Sequence, residues 1–310
     1  MQQIDTNMEE TFWPMNKISN VFALCTAFIV VTFFTSSACA ITLDDGDYSY
    51  MPDGTTLGLI YTQHVEGRGL YSKGKKVSDD VKLTSEVQML RYVKYVDWKD
   101  YAFVPQFLLP MGSARTGGDW SDLGVTNGVG DLLLVLPFHF IKDPTGREAF
   151  AITAWGWLPT GDYDNNNELN PFAENRWKLA LQAGRQWKVN EQISLELVAD
   201  VRFHGDNDEY GVGNATLEQK PLWELQGHVR YYVTPRTFVG AMVSNVRGGA
   251  TRVDGIELDD SQNLTKLKLS IGHSITPDIQ LIGSVGQDMY IRNGIKEEMR
   301  VNFRLLKLFK

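Results

Sequence analysis

The chemically capable residues of this 310-residue chain recur at every second position. Asp200, Arg202 and His204 are spaced by two, with Glu196 four places before them. Glu224, His228 and Arg230 form a similar run, with Gln226 between. A period of two places such groups on one face of a β-strand. Asp131 and His139 share a face of a third run, and Arg300 lies on a fourth near the C-terminus. Several chemistries could use these groups. A membrane phospholipase needs a serine downstream of a histidine on one strand, with a polar orienter. Ser244 and Asn245 have Met242 where that histidine belongs. A protease at a barrel rim would need Asp and His near loops, which Asp200, His204, Asp206 and Asp208 could supply. His204, Asp206, Asp208 and Glu209 lack the ligand spacing of a calcium loop, and solvated loop acids account for them. Gly128-Val-Gly130 lacks the third glycine and the following helix of a nucleotide loop. The expectation is no catalytic residue, no metal site and no cofactor.

The elements that must position these runs are strands. About a dozen strand-like segments follow the N-terminal region, near 56–65, 81–96, 101–109, 129–141, 148–158, 175–187, 192–204, 222–233, 237–247, 264–275, 279–290 and 295–309. In 192–204 one face reads Ile193, Leu195, Leu197, Ala199, Val201, Phe203; the other carries Glu196, Asp200, Arg202 and His204. In 129–141, Leu132, Leu134, Leu136, Phe138 and Phe140 oppose Asp131, Leu133, Val135, Pro137 and His139. In 295–309, Met299, Val301, Phe303 and Leu305 oppose Glu298, Arg300, Asn302 and Arg304. Connections alternate between long polar stretches (112–127, 205–220, 248–263) and terse links (97–100, 142–147, 189–191, 234–236, 276–278). Only 291–294 is short where a long one is due. Unequal rims, an even strand count and alternating faces are the signature of an outer-membrane barrel with a polar lumen. Trp98, Tyr101, Trp155, Trp157, Trp177, Trp187, Trp223, Tyr231 and Phe309 lie near strand ends, as interfacial girdles do. A soluble sandwich would show the alternation without the unequal rims.

The N-terminal region reads as an export signal. Its one long apolar run, 21–35, is shorter than the ~20 residues a spanning helix needs. Ala38-Cys39-Ala40 follows, so residues 1–40 are expected to be a signal peptide cleaved after Ala40. Residues 1–14 carry Asp5, Glu9 and Glu10, whereas Met15-Asn16-Lys17 opens a basic leader, making Met15 the expected initiator. A lipoprotein signal at Cys39 is disfavoured by Ser36, where leucine is preferred. Cys25 and Cys39 both fall in this leader, leaving the mature chain without thiol or disulfide chemistry. Without the leader's one lysine and three acids, 29 basic and 35 acidic residues remain, a net charge of −6 that argues against nucleic-acid binding. Residues 41–55, with Asp44, Asp45, Asp47 and Asp53, are expected to be a periplasmic tail. Residues 56–310 are expected to be one all-β domain, a transmembrane antiparallel up-and-down β-barrel of about twelve strands.

Four segments carry a family resemblance: Pro52-Asp-Gly-Thr-Thr-Leu-Gly-Leu-Ile-Tyr61, Leu109-Pro-Met-Gly112, Gly128-Val-Gly-Asp-Leu-Leu-Leu134 and Leu158-Pro-Thr-Gly-Asp-Tyr163. In this order they resemble the outer-membrane family labelled "MetA-pathway of phenol degradation", over nearly all of residues 41–310. The resemblance implies a small barrel that takes up hydrophobic or aromatic compounds, and it brings no set of functional residues. Strand parity supplies the lumen candidates: Asp131, His139, Glu196, Asp200, Arg202, His204, Glu224, His228, Arg230 and Arg300. His64, Arg115, Arg247, Arg252 and Arg304 are further candidates for the lumen or pore. The expected partners are outer-membrane lipid and lipopolysaccharide, the barrel-assembly machinery and a small hydrophobic solute, which crosses the lumen or a lateral gap. Two rival readings are an outer-membrane hydrolase and a structural or adhesive barrel with a plugged lumen.

Overall fold

The computed structural model describes residues 43–143 and 145–309; the expected signal peptide and the expected initiator Met15 lie outside the described residues. In chain order the strands are β1 (Thr56–Ser72), β2 (Lys75–Lys94), β3 (Val96–Trp98), β4 (Tyr101–Phe103), β5 (Gln106–Gly118), β6 (Val125–Val129), β7 (Leu132–Lys142), β8 (Glu148–Leu158), β9 (Lys178–Lys188) and β10 (Ile193–His204). They continue with β11 (Asn207–Tyr210), β12 (Ala215–Gln219), β13 (Leu222–Thr234), β14 (Thr237–Gly248), β15 (Thr251–Val253), β16 (Ile256–Glu257), β17 (Gln262–Thr276), β18 (Ile279–Ile291) and β19 (Gly294–Phe309). Twelve of them, β1, β2, β5, β7–β10, β13, β14 and β17–β19, form a closed antiparallel barrel. The seam joins the first strand to the last, Thr56 opposite Phe309 and Tyr71 opposite Gly294.

Closure satisfies every ladder without leaving an edge, which is what a sheet needs in lipid. The outer faces are correspondingly apolar. Leu179 and Leu181, Leu197 and Phe203, Trp223 and Leu225, and Leu269 and Ile271 are all exposed. Trp98, Tyr101, Trp177, Trp223, Tyr231 and Phe309 are also exposed. Trp155 and Trp157 are not part of a girdle: odd positions of β8 face inward, and both rings are buried, stacked with centroids 6.1 Å apart.

The long connections contain more pairing than expected. Residues 66–80 are the paired upper half of the β1–β2 hairpin, with register shifts at Arg68/Leu70 and Leu70/Tyr71. Residues 112–127 hold the β5–β6 hairpin, Met111 opposite Val129 and Arg115 opposite Val125. The stretches 205–220 and 248–263 meet as a separate four-stranded sheet, β11-β12-β15-β16, with Tyr210, Ala215, Leu217 and Val253 as its own core. The 291–294 link is short, as read from the sequence.

Candidate functional site

The first described residues run up the inside of the barrel, so the acidic stretch expected to hang as a tail is an insert. Tyr50 enters at the short-turn end, its hydroxyl donating to Asp97 at 2.7 Å. Above it Ser49 donates to Gln186, and the Tyr48 hydroxyl donates to Gln182 at 2.9 Å. The Tyr48 ring lies against Gly184, where any Cβ would collide with it. Asp47 bridges Arg91 and Arg304, each at 2.9 Å. Asp45 meets His228 Nδ1 at 2.8 Å and accepts from Ser270. Asp44 lies 3.4 Å from Arg304 and 3.7 Å from Lys268, while Lys268 Nζ donates to the Leu43 carbonyl at 2.5 Å. The Leu43 amide donates to Gln226 at 3.3 Å. Burial alone would raise the Asp45 carboxyl, but the His228 hydrogen bond and the Lys268 charge outweigh it and hold the group well below the usual carboxylate range.

A second insert descends from the long-loop end. Residues 159–177 fold back on themselves through Asp and Asn side chains, whose local hydrogen bonds replace a backbone ladder. Asp164 Oδ1 accepts the Asn166 amide at 2.9 Å, and Asn167 Oδ1 accepts the Leu169 amide at 2.9 Å. Leu169 is fully buried among Val81, Ala114, Trp120 and Ile295, flanked by Phe172. Two of the sequence motifs interlock to hold it. The Val129 amide donates to Asp162 Oδ2 and the Asp162 amide to the Val129 carbonyl, each at 2.8 Å. Asp131 accepts from the Gly161 amide at 3.2 Å and the Glu174 amide at 3.3 Å. A Cβ on Gly161 would lie 2.7 Å from the Asp131 nitrogen, so only glycine allows this approach.

Between the inserts lies a chamber of about 290 Å³. One wall, from β2, β5, β7 and β8, presents Leu83, Val87, Met89, Leu108, Leu133, Trp155 and Trp157, with Phe172 above. The facing wall and floor present Asp44, Asp47, Lys268, Glu297, Arg300 and Asn302. Ser85, Arg91 and Asp131 lie among the first group and Val65 and Ile295 among the second, so the chamber can hold a small flat solute by ring and apolar contact with hydrogen-bonding groups close by. Its cations already have acidic neighbours: Arg300 with Glu297, Lys178 with Glu174, Arg91 with Asp47 and Lys268 with Asp44.

Of the ten parity-chosen candidates, only Asp131 and Arg300 line this chamber. Glu196, His228 and Arg230 surround the rising segment. Glu196 accepts the Gly46 amide at 3.1 Å, and Arg230 donates to Gln186 at 2.8 Å. Asp200, Arg202 and Glu224 form a second cluster. Asp200 accepts from Gln182 at 3.2 Å, and the Arg202 guanidinium sits 5.1 Å from the Trp157 ring. His139 is buried beside Tyr50 near the short-turn end. His204 is half-buried at the opposite rim, apart from the others. His64 faces outward, bonded to Glu86 and Glu66, because even positions of β1 point out. Arg115 and Arg247 are exposed, and Arg252 belongs to the small outer sheet with Glu218 and Glu257. Strict alternation also misplaced Glu298. A bulge between Glu66 and Gly67 sends it outward and turns Glu297 in. Lys266 and Lys268 were missed, although Lys266-Leu267-Lys268-Leu269-Ser270-Ile271 alternates clearly and its polar members are buried.

Residues 67–305 match the family described as "Putative MetA-pathway of phenol degradation". Among solved structures, the COG4313 outer membrane channel from Pseudomonas putida F1 is 36% identical with a TM-score of 0.83, covering 86% of this chain and 100% of that one. The beta domain of the Bordetella autotransporter BrkA matches at 10% identity and a TM-score of 0.51, covering 83% and 100%, a likeness of fold alone. No curated protein matches the chain. With its closed barrel, apolar outer belt and interlocked motifs, this chain belongs to the outer-membrane channel family described as the putative MetA pathway of phenol degradation.

Proposed function

We propose that this channel carries small aromatic or otherwise hydrophobic molecules across the outer membrane by diffusion, with the chamber between the two inserts as its binding station. The observation that carries the reading is the chamber's lining: Trp155, Trp157, Phe172 and aliphatic side chains, interspersed with charged groups that are already paired with one another. An apolar cavity of about 150 Å³ is enough for benzene, so about 290 Å³ accommodates a single substituted ring and some water. The family's description and the related outer membrane channel support the same reading. The ion pairs of the chamber leave no lone cation for an anionic group, which favours neutral solutes. The test is solute entry into liposomes holding the purified barrel, with growth of a deletion strain on aromatic carbon sources alongside. Faster entry of neutral aromatics than of sugars of similar mass is expected. Equal impermeability to both, with unaltered growth, would instead support a plugged structural barrel, the alternative suggested by the inserts at both ends.

A further inference from the structure

Three neutral polar side chains of the chamber, unlike its charged ones, are not engaged. Ser284 on β18, Asn302 on β19 and Gln63 on β1 all line it. Asn302 lies directly opposite Ser284 on one side and directly opposite Gln63 on the other. Opposed residues of antiparallel strands hold their Cβ atoms about 5 Å apart, so the three form one continuous row. Among the described residues, none of these three side chains hydrogen-bonds to another protein group. The charged residues flanking the row are already held. Arg300, two places before Asn302, is bound to Glu297, and Arg304, two places after it, to Asp44 and Asp47. β18 and β8 stand six strands apart in the ring of twelve, so Trp155 and Trp157 face the row across the lumen.

This arrangement discriminates among solutes of similar size. A primary amide offers one carbonyl acceptor and two N–H donors, and a serine hydroxyl both donates and accepts. A row of such groups matches a substituent that itself donates and accepts, a hydroxyl or a carboxamide. A methyl group in the same place would displace water from the row and return no hydrogen bond, leaving polar groups unpaired. A carboxylate would meet no unpaired cation to offset its desolvation.

We propose that the Ser284–Asn302–Gln63 row is the specificity-determining subsite of the chamber, favouring rings with a hydroxyl or carboxamide over bare hydrocarbons and aromatic acids. The proposal rests on the chamber being the solute's binding station and names what that station prefers. The ring packs toward Trp155 and Trp157, while its substituent bonds Asn302 and one of the two neighbours.

The experiment uses the purified barrel in lipid nanodiscs and three probes sharing one fluorinated ring: 4-fluorobenzyl alcohol, 4-fluorotoluene and 4-fluorobenzoate. Saturable binding is read by fluorine NMR, with empty nanodiscs as the blank for partition into lipid. The alcohol is expected to bind about threefold to tenfold more tightly than the toluene, the worth of one neutral hydrogen bond, and the benzoate most weakly. Asn302→Leu removes the central amide at similar volume and should bring alcohol and toluene to within about twofold of each other. A wall that is merely wet would give the same alcohol-to-toluene ratio in wild type and variant, and that result overturns the proposal. Benzoate binding as tightly as the alcohol would overturn it too. Because Asn302→Leu could fail to assemble, the double variant Gln63→Met, Ser284→Ala is measured beside it, with fast gel migration as the check on folding. It should lose at least half of the preference, and an unchanged ratio there also counts against the subsite. Entry into liposomes is measured separately. Selective binding without entry would refute the channel reading and leave the subsite standing, whereas entry without selective binding would do the reverse.

Discussion

The two inserts that narrow the lumen are held by opposite physics. The segment from the short-turn end is fixed by charge: three aspartates against Arg91, Arg304, Lys268 and His228. The loop from the other end is fixed by backbone hydrogen bonds through Asp131 and Asp162 and by an apolar anchor, Leu169. Buried ion pairs are a weak source of net stability, yet losing one partner is expensive because the other charge is stranded. Apolar anchors lose energy in proportion to the volume removed. One insert is therefore a fitted set of charges that works as a unit, the other a graded packing contact.

Removing residues 41–50 should have the largest effect, opening the lumen to the chamber floor. Single-channel conductance in planar bilayers should rise several-fold while the barrel stays folded. If conductance does not change, the segment is not a barrier. Asp47→Ala comes next: it takes from Arg91 the acid it pairs with and leaves Arg304 with Asp44 alone, and it should cost about 3–5 kcal/mol, read as a lower unfolding temperature. Leu169→Ala should cost about 2–5 kcal/mol at the other insert, with a smaller rise in conductance and no change in the accessibility of residues 43–50 to proteolysis. An equal response of both inserts to this one substitution would show that they are not independent. Gly161→Ala probes the interlocked motifs, and loosening of loop 159–177 should appear as faster hydrogen exchange confined to it. The smallest effect concerns pH. Asp45 has a depressed pKa, so its contribution is fully present above the ordinary carboxylate range and is lost only as pH falls through the lower folded value. Conductance should therefore be the same at pH 7 and pH 5, and an increase already at pH 5 would contradict the placement of Asp45.

The sequence made the barrel legible because its lipid-facing positions follow a strict rule. Runs such as Ile193 to Phe203 reveal strand and face together, and the β8 boundaries coincide with the structure. It did not reveal where a bulge interrupts the rule, which is why Glu298 and Glu297 exchanged places. It did not reveal the chamber either. Trp155 and Trp157 look like girdle residues until β8 is known to turn its odd positions inward. The aspartates at 44, 45 and 47 read as a solvated tail because their partners lie from 44 to 260 residues away, on β2, β13, β17 and β19. Local pattern reports a strand's two faces. It carries no information on what fills the space inside a closed sheet.

The small sheet β11-β12-β15-β16 joins connections that belong to two different hairpins of the barrel, with Leu217 opposite Val253. A phage, an antibody or a toxin landing on this rim would grip one folded epitope made jointly by 205–220 and 248–263. The two stretches must therefore diversify together. A chimaera that swaps only one would expose Leu217 or Val253 and lose the shape of both, whereas a graft carrying the pair would transplant the whole surface.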